Sequence, residues 1–204
     1  MALAACVITV HLSFIMGLKP TMLAVALLLV ATPESIVFAQ TPGFSESDRA
    51  RLDALYQRLA SATDETSARL TADEIWKIWI RPADPVLAAR VDEIIKAGGF
   101  AGPISQMPMV EQLVADYPEY SEGYNMRATA HFLRGAYDAS LADIEKVLEL
   151  EPRHFGALSG KALIFHTLGK REEALEAMKA ALDIHPFLSE RSLFPELGPP
   201  PIRS

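Results

Sequence analysis

Five residue pairs of this chain recur at an offset of 34: Ala128 and Ala162, Gly135 and Gly169, Leu141 and Leu175, Leu148 and Leu182, Pro152 and Pro186. A fixed period of this length constrains the fold more than composition does, because each period is a unit that buries its apolar face only against its neighbours. The residue types say what the unit is. Gly135 and Gly169 supply the left-handed backbone that ends a first helix. Pro152 and Pro186 stop a second one, since proline has no N–H to donate and clashes with the preceding turn. Ala128 and Ala162 are small where two helices cross closely. The leucines lie seven apart on each second helix and so share an apolar face. The period therefore predicts an all-α solenoid of helical hairpins, with units at 121–154 and 155–188.

These positions resemble the tetratricopeptide repeat, whose marks are spaced large, small and aromatic residues and a closing proline. One unit carries them as Tyr124, Arg127-Ala128, His131, Ser140, Ile144 and Pro152, the next as Leu158, Lys161-Ala162, Phe165, Ala174, Met178 and Pro186. Arg127 and Lys161 stand where the family has leucine, and the expectation is that their stems pack while their charges stay in water. One period upstream, 87–120 reads as a degenerate first repeat closing near Pro118. Its turn, Ala97 to Pro103, is longer than the family's, and Pro108 near its second helix is either tolerated or delays that helix by a turn. Ahead of it, 45–82 carries Leu52, Leu55, Tyr56, Leu59, Leu70, Ile75, Trp76, Ile78 and Trp79 at helical spacing, an atypical pair of the kind that covers the end of a solenoid. Residues 189–204, with Pro199 to Pro201 in a row, are expected to be extended or disordered. The alternative is that Phe194 and Leu197 fold back over the last repeat.

The resemblance also implies a concave groove lined by the first helices. Carried over position by position, the groove residues are Glu122, Asn125, Thr129, Phe132 and Leu133, followed by Ser159, Leu163, His166 and Thr167. Phe132, Leu133 and Leu163 give it an apolar centre suited to an extended or helical peptide. The family's carboxylate clamp of Lys and Asn is incomplete here, so recognition of a free acidic C-terminus is not expected.

Catalytic patterns fail one by one. There is no Gly-x-Ser-x-Gly elbow, no His-Glu-x-x-His and no cysteine pair. The run Gly156 to Ala162 has one spacer too few for a phosphate loop and an alanine where a hydroxyl must hold magnesium. Its small residues are better read as a first helix that a neighbour approaches closely. His131, His154, His166 and His185 lack the spacing of a metal site, so neither metal nor cofactor is expected. Trp76 and Trp79 are read as the seam between the N-terminal pair and the first repeat rather than as an aromatic ligand platform. A hydrolase centred on them is kept as an alternative.

Composition bears on delivery rather than on fold. Of 204 residues 50% are hydrophobic, yet residues 1–39 contain only Lys19 and Glu34 as charges, leaving 18 Lys+Arg against 25 Asp+Glu in residues 40–204. An acidic domain without a basic stripe is not a nucleic-acid binder. Lys19, the apolar run Met22 to Ala31 and the small exit Val37-Phe38-Ala39 form a secretory leader, with cleavage expected after Ala39. Residues 1–15 then look like the product of an upstream start, Met16 being the better beginning. A first membrane span over Ala2 to Leu18 is the rival reading, short for the purpose and interrupted by His11. Leu3-Ala4-Ala5-Cys6 mimics a lipoprotein box without an apolar segment before it, and Cys6 is the only cysteine, so the cleaved chain has no thiol. The expectation is a periplasmic or secreted, non-catalytic scaffold that binds a protein or peptide partner and meets a membrane only through an uncleaved N-terminus. A membrane-held assembly or regulatory subunit is the alternative.

Overall fold

The computed structural model describes residues 44–98 and 102–200. The expected leader, its expected cleavage site after Ala39 and Cys6 lie outside them. The described residues hold helices and no strand. None of these helices is long and apolar enough to cross a membrane.

Local chemistry sets the helix starts. Helix α1, Glu46–Ala60, opens on a capping box in which the Ser45 hydroxyl accepts from the Asp48 N–H and the Asp48 carboxylate accepts from the Ser45 N–H, both at 3.1 Å. Helix α2, Glu65–Trp79, is capped by Asp64, which accepts from the Ser67 N–H at 2.9 Å. The Asp84 carboxylate accepts from Val86 and Leu87 at 2.8 Å in front of α3, Pro85–Gly98, where a first-turn proline sacrifices no helical bond. A one-turn helix α4, Gly102–Ser105, precedes α5, Met107–Asp116. Pro108 is therefore tolerated in the first turn of α5, behind an extra turn of helix. Leu87, Val91, Ile94, Val110 and Leu113 form the core of this first hairpin, and the Gln106 side chain donates to the Ile94 carbonyl near the end of α3.

The two clear repeats follow as α6, Ser121–Leu133, with α7, Tyr137–Leu150, and α8, Phe155–Thr167, with α9, Arg171–Ile184. Gly135 and Gly169 turn each hairpin at φ of 71° and 72°. Each hands its following amide back to the first helix, Ala136 to the His131 carbonyl and Lys170 to the Phe165 carbonyl, both at 2.9 Å. A Cβ at either glycine would meet nothing within 4 Å, so the backbone conformation, not space, demands glycine. Ala128 and Ala162 are buried at the crossings. Ser140 closes the α6–α7 crossing by donating to the Ala128 carbonyl at 2.7 Å, where the next repeat has Ala174. This is a helical-hairpin solenoid of the tetratricopeptide type.

Three expectations change. The Arg127 charge is not left in water: its guanidinium makes two hydrogen bonds to Asp143 of α7, at 2.7 and 2.9 Å, and Asp143 is buried. Those bonds hold the Arg127 pKa above even its ordinary value. Lys161 differs: it meets Glu145 at 2.6 Å in an exposed pair, so its charge stays at the surface.

The N-terminal pair does not cover the end of the stack. Leu52, Leu55, Tyr56, Leu59, Ile75, Ile78 and Trp79 pack with Phe155 at the start of α8, with Ile184 at the end of α9 and with Phe187 and Leu188 beyond it. The pair thus runs along the edge formed by the turns between repeats. Tyr120, His154 and Leu188 hold the same place in successive turns, at the 34-residue offset, and each meets it. Tyr120 donates to the Trp79 carbonyl at 2.7 Å, His154 stacks on the Trp79 ring at 3.9 Å, and Leu188 borders its core.

The tail is folded as far as it is described. Two short 3-10 turns, Ser189–Leu193 and Pro195–Leu197, place Phe194 in the core of the last repeat, fully buried beside Ala162, Ala174 and Met178. Burial of that one aromatic outweighs the prolines behind it. Arg191 then gathers the carbonyls of Leu197, Gly198 and Pro199 at 2.8–3.1 Å.

Candidate partner-binding groove

A groove of about 280 Å³ opens between α6 and α8. Asn125, Thr129, Phe132, Ser159 and Leu163, five of the positions carried over from the repeat pattern, line it. Phe132 and Leu163 are half-buried, with the Phe132 ring 5.8 Å from that of Tyr137. The floor is Ala128, Ile144, Ala157 and Ile164. A larger depression, about 660 Å³, lies between α9 and the tail but contains none of the residues that the repeat pattern aims at the concave face.

The other positions fall elsewhere. Glu122 is a correction: it is 3% exposed and accepts hydrogen bonds from the Asn125 amide at 3.0 Å and from His154 at 3.1 Å. The Ala157 N–H donates to Nδ1 of His154, so that nitrogen carries no proton and Nε2–H is the donor to Glu122. Glu122 therefore ties α6 to the cap of α8 and is not offered to a partner. Leu133 is exposed outside the groove. His166 lies near the tail, its Nδ1 3.0 Å from Arg171 and its ring 5.5 Å from Phe194, and Thr167 donates to the Leu163 carbonyl.

Trp76, expected at the seam with the first repeat rather than on a ligand platform, also lines the groove, together with Gly156, Gly160 and Glu190, which the repeat pattern does not name. Trp76 comes from α2 and is held edge-on against Trp79, His154 and Phe155, with ring centroids 4.8, 5.5 and 6.0 Å away. It reaches the groove because Gly156 lets it in: a Cβ there would lie 2.9 Å from the indole. Two glycines in one helix were the available signal, since glycine is disfavoured there unless something approaches closely. Glu190 arrives on the folded tail and is, among the described residues, the only ionisable one of the lining. Among the described residues, no group of three His, Cys, Asp or Glu is placed to hold a metal ion.

The family profile of the tetratricopeptide repeat matches residues 125–189. A TPR repeat-containing protein of Rhizobium etli is 34% identical over 176 residues, which is 83% of this chain and 86% of that protein. The chain belongs to the tetratricopeptide repeat family. A match of that length runs beyond the two clear repeats, so the likeness to this TPR protein is not confined to the hairpins that carry the motif. The small glutamine-rich tetratricopeptide repeat-containing protein 2 of Saccharomyces cerevisiae is 39% identical over 61 residues, 30% of this chain and 18% of that protein. This second likeness is of repeat length only.

Proposed function

We propose that the protein is a non-catalytic interaction module of the bacterial cell envelope, exported on residues 1–39, whose concave face takes up a segment of a partner protein. The observation that carries the reading is the groove itself: Phe132 of α6 and Leu163 of α8 line it together, over small and branched residues and with a few polar groups among them. Apolar anchoring ringed by a few placed polar groups is what peptide recognition needs. Membership of a family of stacked hairpins and the leader-like pattern around Lys19 and Ala39 support it.

The test is capture of partners from envelope extract by the full chain and by Phe132→Glu combined with Leu163→Glu. The double variant should keep its helical circular dichroism and lose the captured partner. If it unfolds, the two side chains are core and the groove assignment fails; if it folds and captures the same partner, the partner binds elsewhere. N-terminal sequencing of the exported protein tests delivery, with Gln40 expected as the first residue, whereas a retained leader favours a membrane-held subunit.

A further inference from the structure

The hydroxyl donors of the groove already have partners inside the fold. The Thr129 hydroxyl donates to the Asn125 carbonyl at 3.0 Å, Ser159 to the Gly156 carbonyl at 3.1 Å and Ser140 to the Ala128 carbonyl at 2.7 Å. The Asn125 amide nitrogen donates to Glu122, and since a carboxylate only accepts, this fixes which way the amide faces and leaves its oxygen turned elsewhere. Glu190 brings a carboxylate to the lining, and among the described residues no Lys or Arg nitrogen forms an ion pair with it. It accepts from the neighbouring Ser189 hydroxyl at 3.2 Å. The groove therefore offers hydroxyl and amide acceptors and one carboxylate beside the walls of Trp76, Phe132 and Leu163, with the Trp76 indole N–H as a donor among them.

From this we infer that the groove receives an arginine side chain of the partner, a commitment that rests on the binding reading above. An apolar side chain would strip water from those acceptors and return nothing to them. A carboxylate would meet the negative charge of Glu190, in a chain whose net charge is already −7. Arginine supplies donors only, in a planar fork that serves several acceptors at once, on a stem that packs against the apolar walls. Its guanidinium also stacks on aromatic rings, which Trp76 and Phe132 supply here. Trp76 is thus a specificity-determining residue contributed from outside the repeats, and the tail contributes the counter-charge through Glu190.

Titration of the purified full-length protein with N-acetyl-arginine methylamide, followed by NMR shifts of the Asn125 side chain and the Gly156, Gly160 and Trp76 N–H groups, tests this. Saturable shifts at these groups are expected, with binding weakened about tenfold by Glu190→Gln and weakened again by salt. The norleucine derivative, which keeps an apolar stem without the charged head, should not saturate them. Equal response to norleucine makes the groove an apolar socket and overturns the inference, as does binding by the lysine derivative at least as tight as by arginine. Absence of shifts with every probe, or arginine binding unaffected in Glu190→Gln, overturns it too. The groove reading is judged separately, by partner capture with the Phe132 and Leu163 double variant.

Discussion

Gly156 and Gly160 share one helix and look interchangeable in the sequence, but their surroundings give them opposite roles. A Cβ at Gly156 would sit 2.9 Å from the Trp76 ring, which Trp79, His154 and Phe155 hold in place, whereas one at Gly160 would meet Ile144 at an ordinary 3.7 Å. Gly156→Ala should destabilise by about 1–2 kcal/mol through overpacking, despite the gain in helix propensity. Gly160→Ala should stabilise by about 0.5–1 kcal/mol, because alanine loses less backbone freedom in a helix. Urea unfolding of the two variants checks the contrast, and loss of stability in both would remove the distinction. The same scale governs Arg127. Arg127→Ala leaves the Asp143 carboxylate buried without its guanidinium and should cost about 3 kcal/mol, while Arg127→Met with Asp143→Leu should recover most of that loss. The sequence flagged Arg127 as a departure from the family pattern. It did not name Asp143, because an ion pair across a hairpin leaves no mark at a fixed offset.

At the scale of elements, the period made α6 to α9 legible almost to the residue, since glycine turns and proline stops are local chemistry. What it did not supply was the site of elements outside the period. The apolar faces of α1 and α2 showed that they pack, and only tertiary contact shows that they pack on the inter-repeat turns. Tyr120, His154 and Leu188 are different residue types, so a search for identities at the repeat offset passes over the one column they share. Five groove positions were legible from the family pattern; Trp76 and Glu190 were not, because they belong to elements outside the repeats. The tail misled for a related reason: its prolines argue against helix, and its one informative residue is Phe194. Phe194→Ala should cost about 3–4 kcal/mol, the loss typical of a buried core aromatic, because the side chain is fully buried against α8 and α9. An extended tail would tolerate that change without measurable loss, so a melting temperature decides between the two descriptions.

For the whole molecule, the N-terminal pair turns a chain of nearest-neighbour contacts into a closed set. A plain solenoid is stabilised by each hairpin and its neighbour. Here α1 and α2 also join Tyr120 to His154 and to the segment after α9, so loosening at the last turn is felt at the first pair. His185 sits in that last turn, buried, its ring 5.2 Å from Phe155 and its Nδ1 accepting from the Phe187 N–H at 3.3 Å. Burial pushes its pKa below the ordinary 6.5, with Glu190 opposing the shift more weakly. The unfolded chain therefore binds a proton at higher pH than the folded one. Stability is unaffected by this group above about pH 6.5 and declines as pH falls from there through the folded pKa. His185→Asn can still accept from Phe187 but does not titrate. Measured by urea unfolding at about pH 7.5 and about pH 5, the wild type should lose more stability than the variant between the two conditions. Equal losses would mean that this histidine takes up its proton without disturbing the turn, and the last repeat would then not be the acid-sensitive part of the closed set.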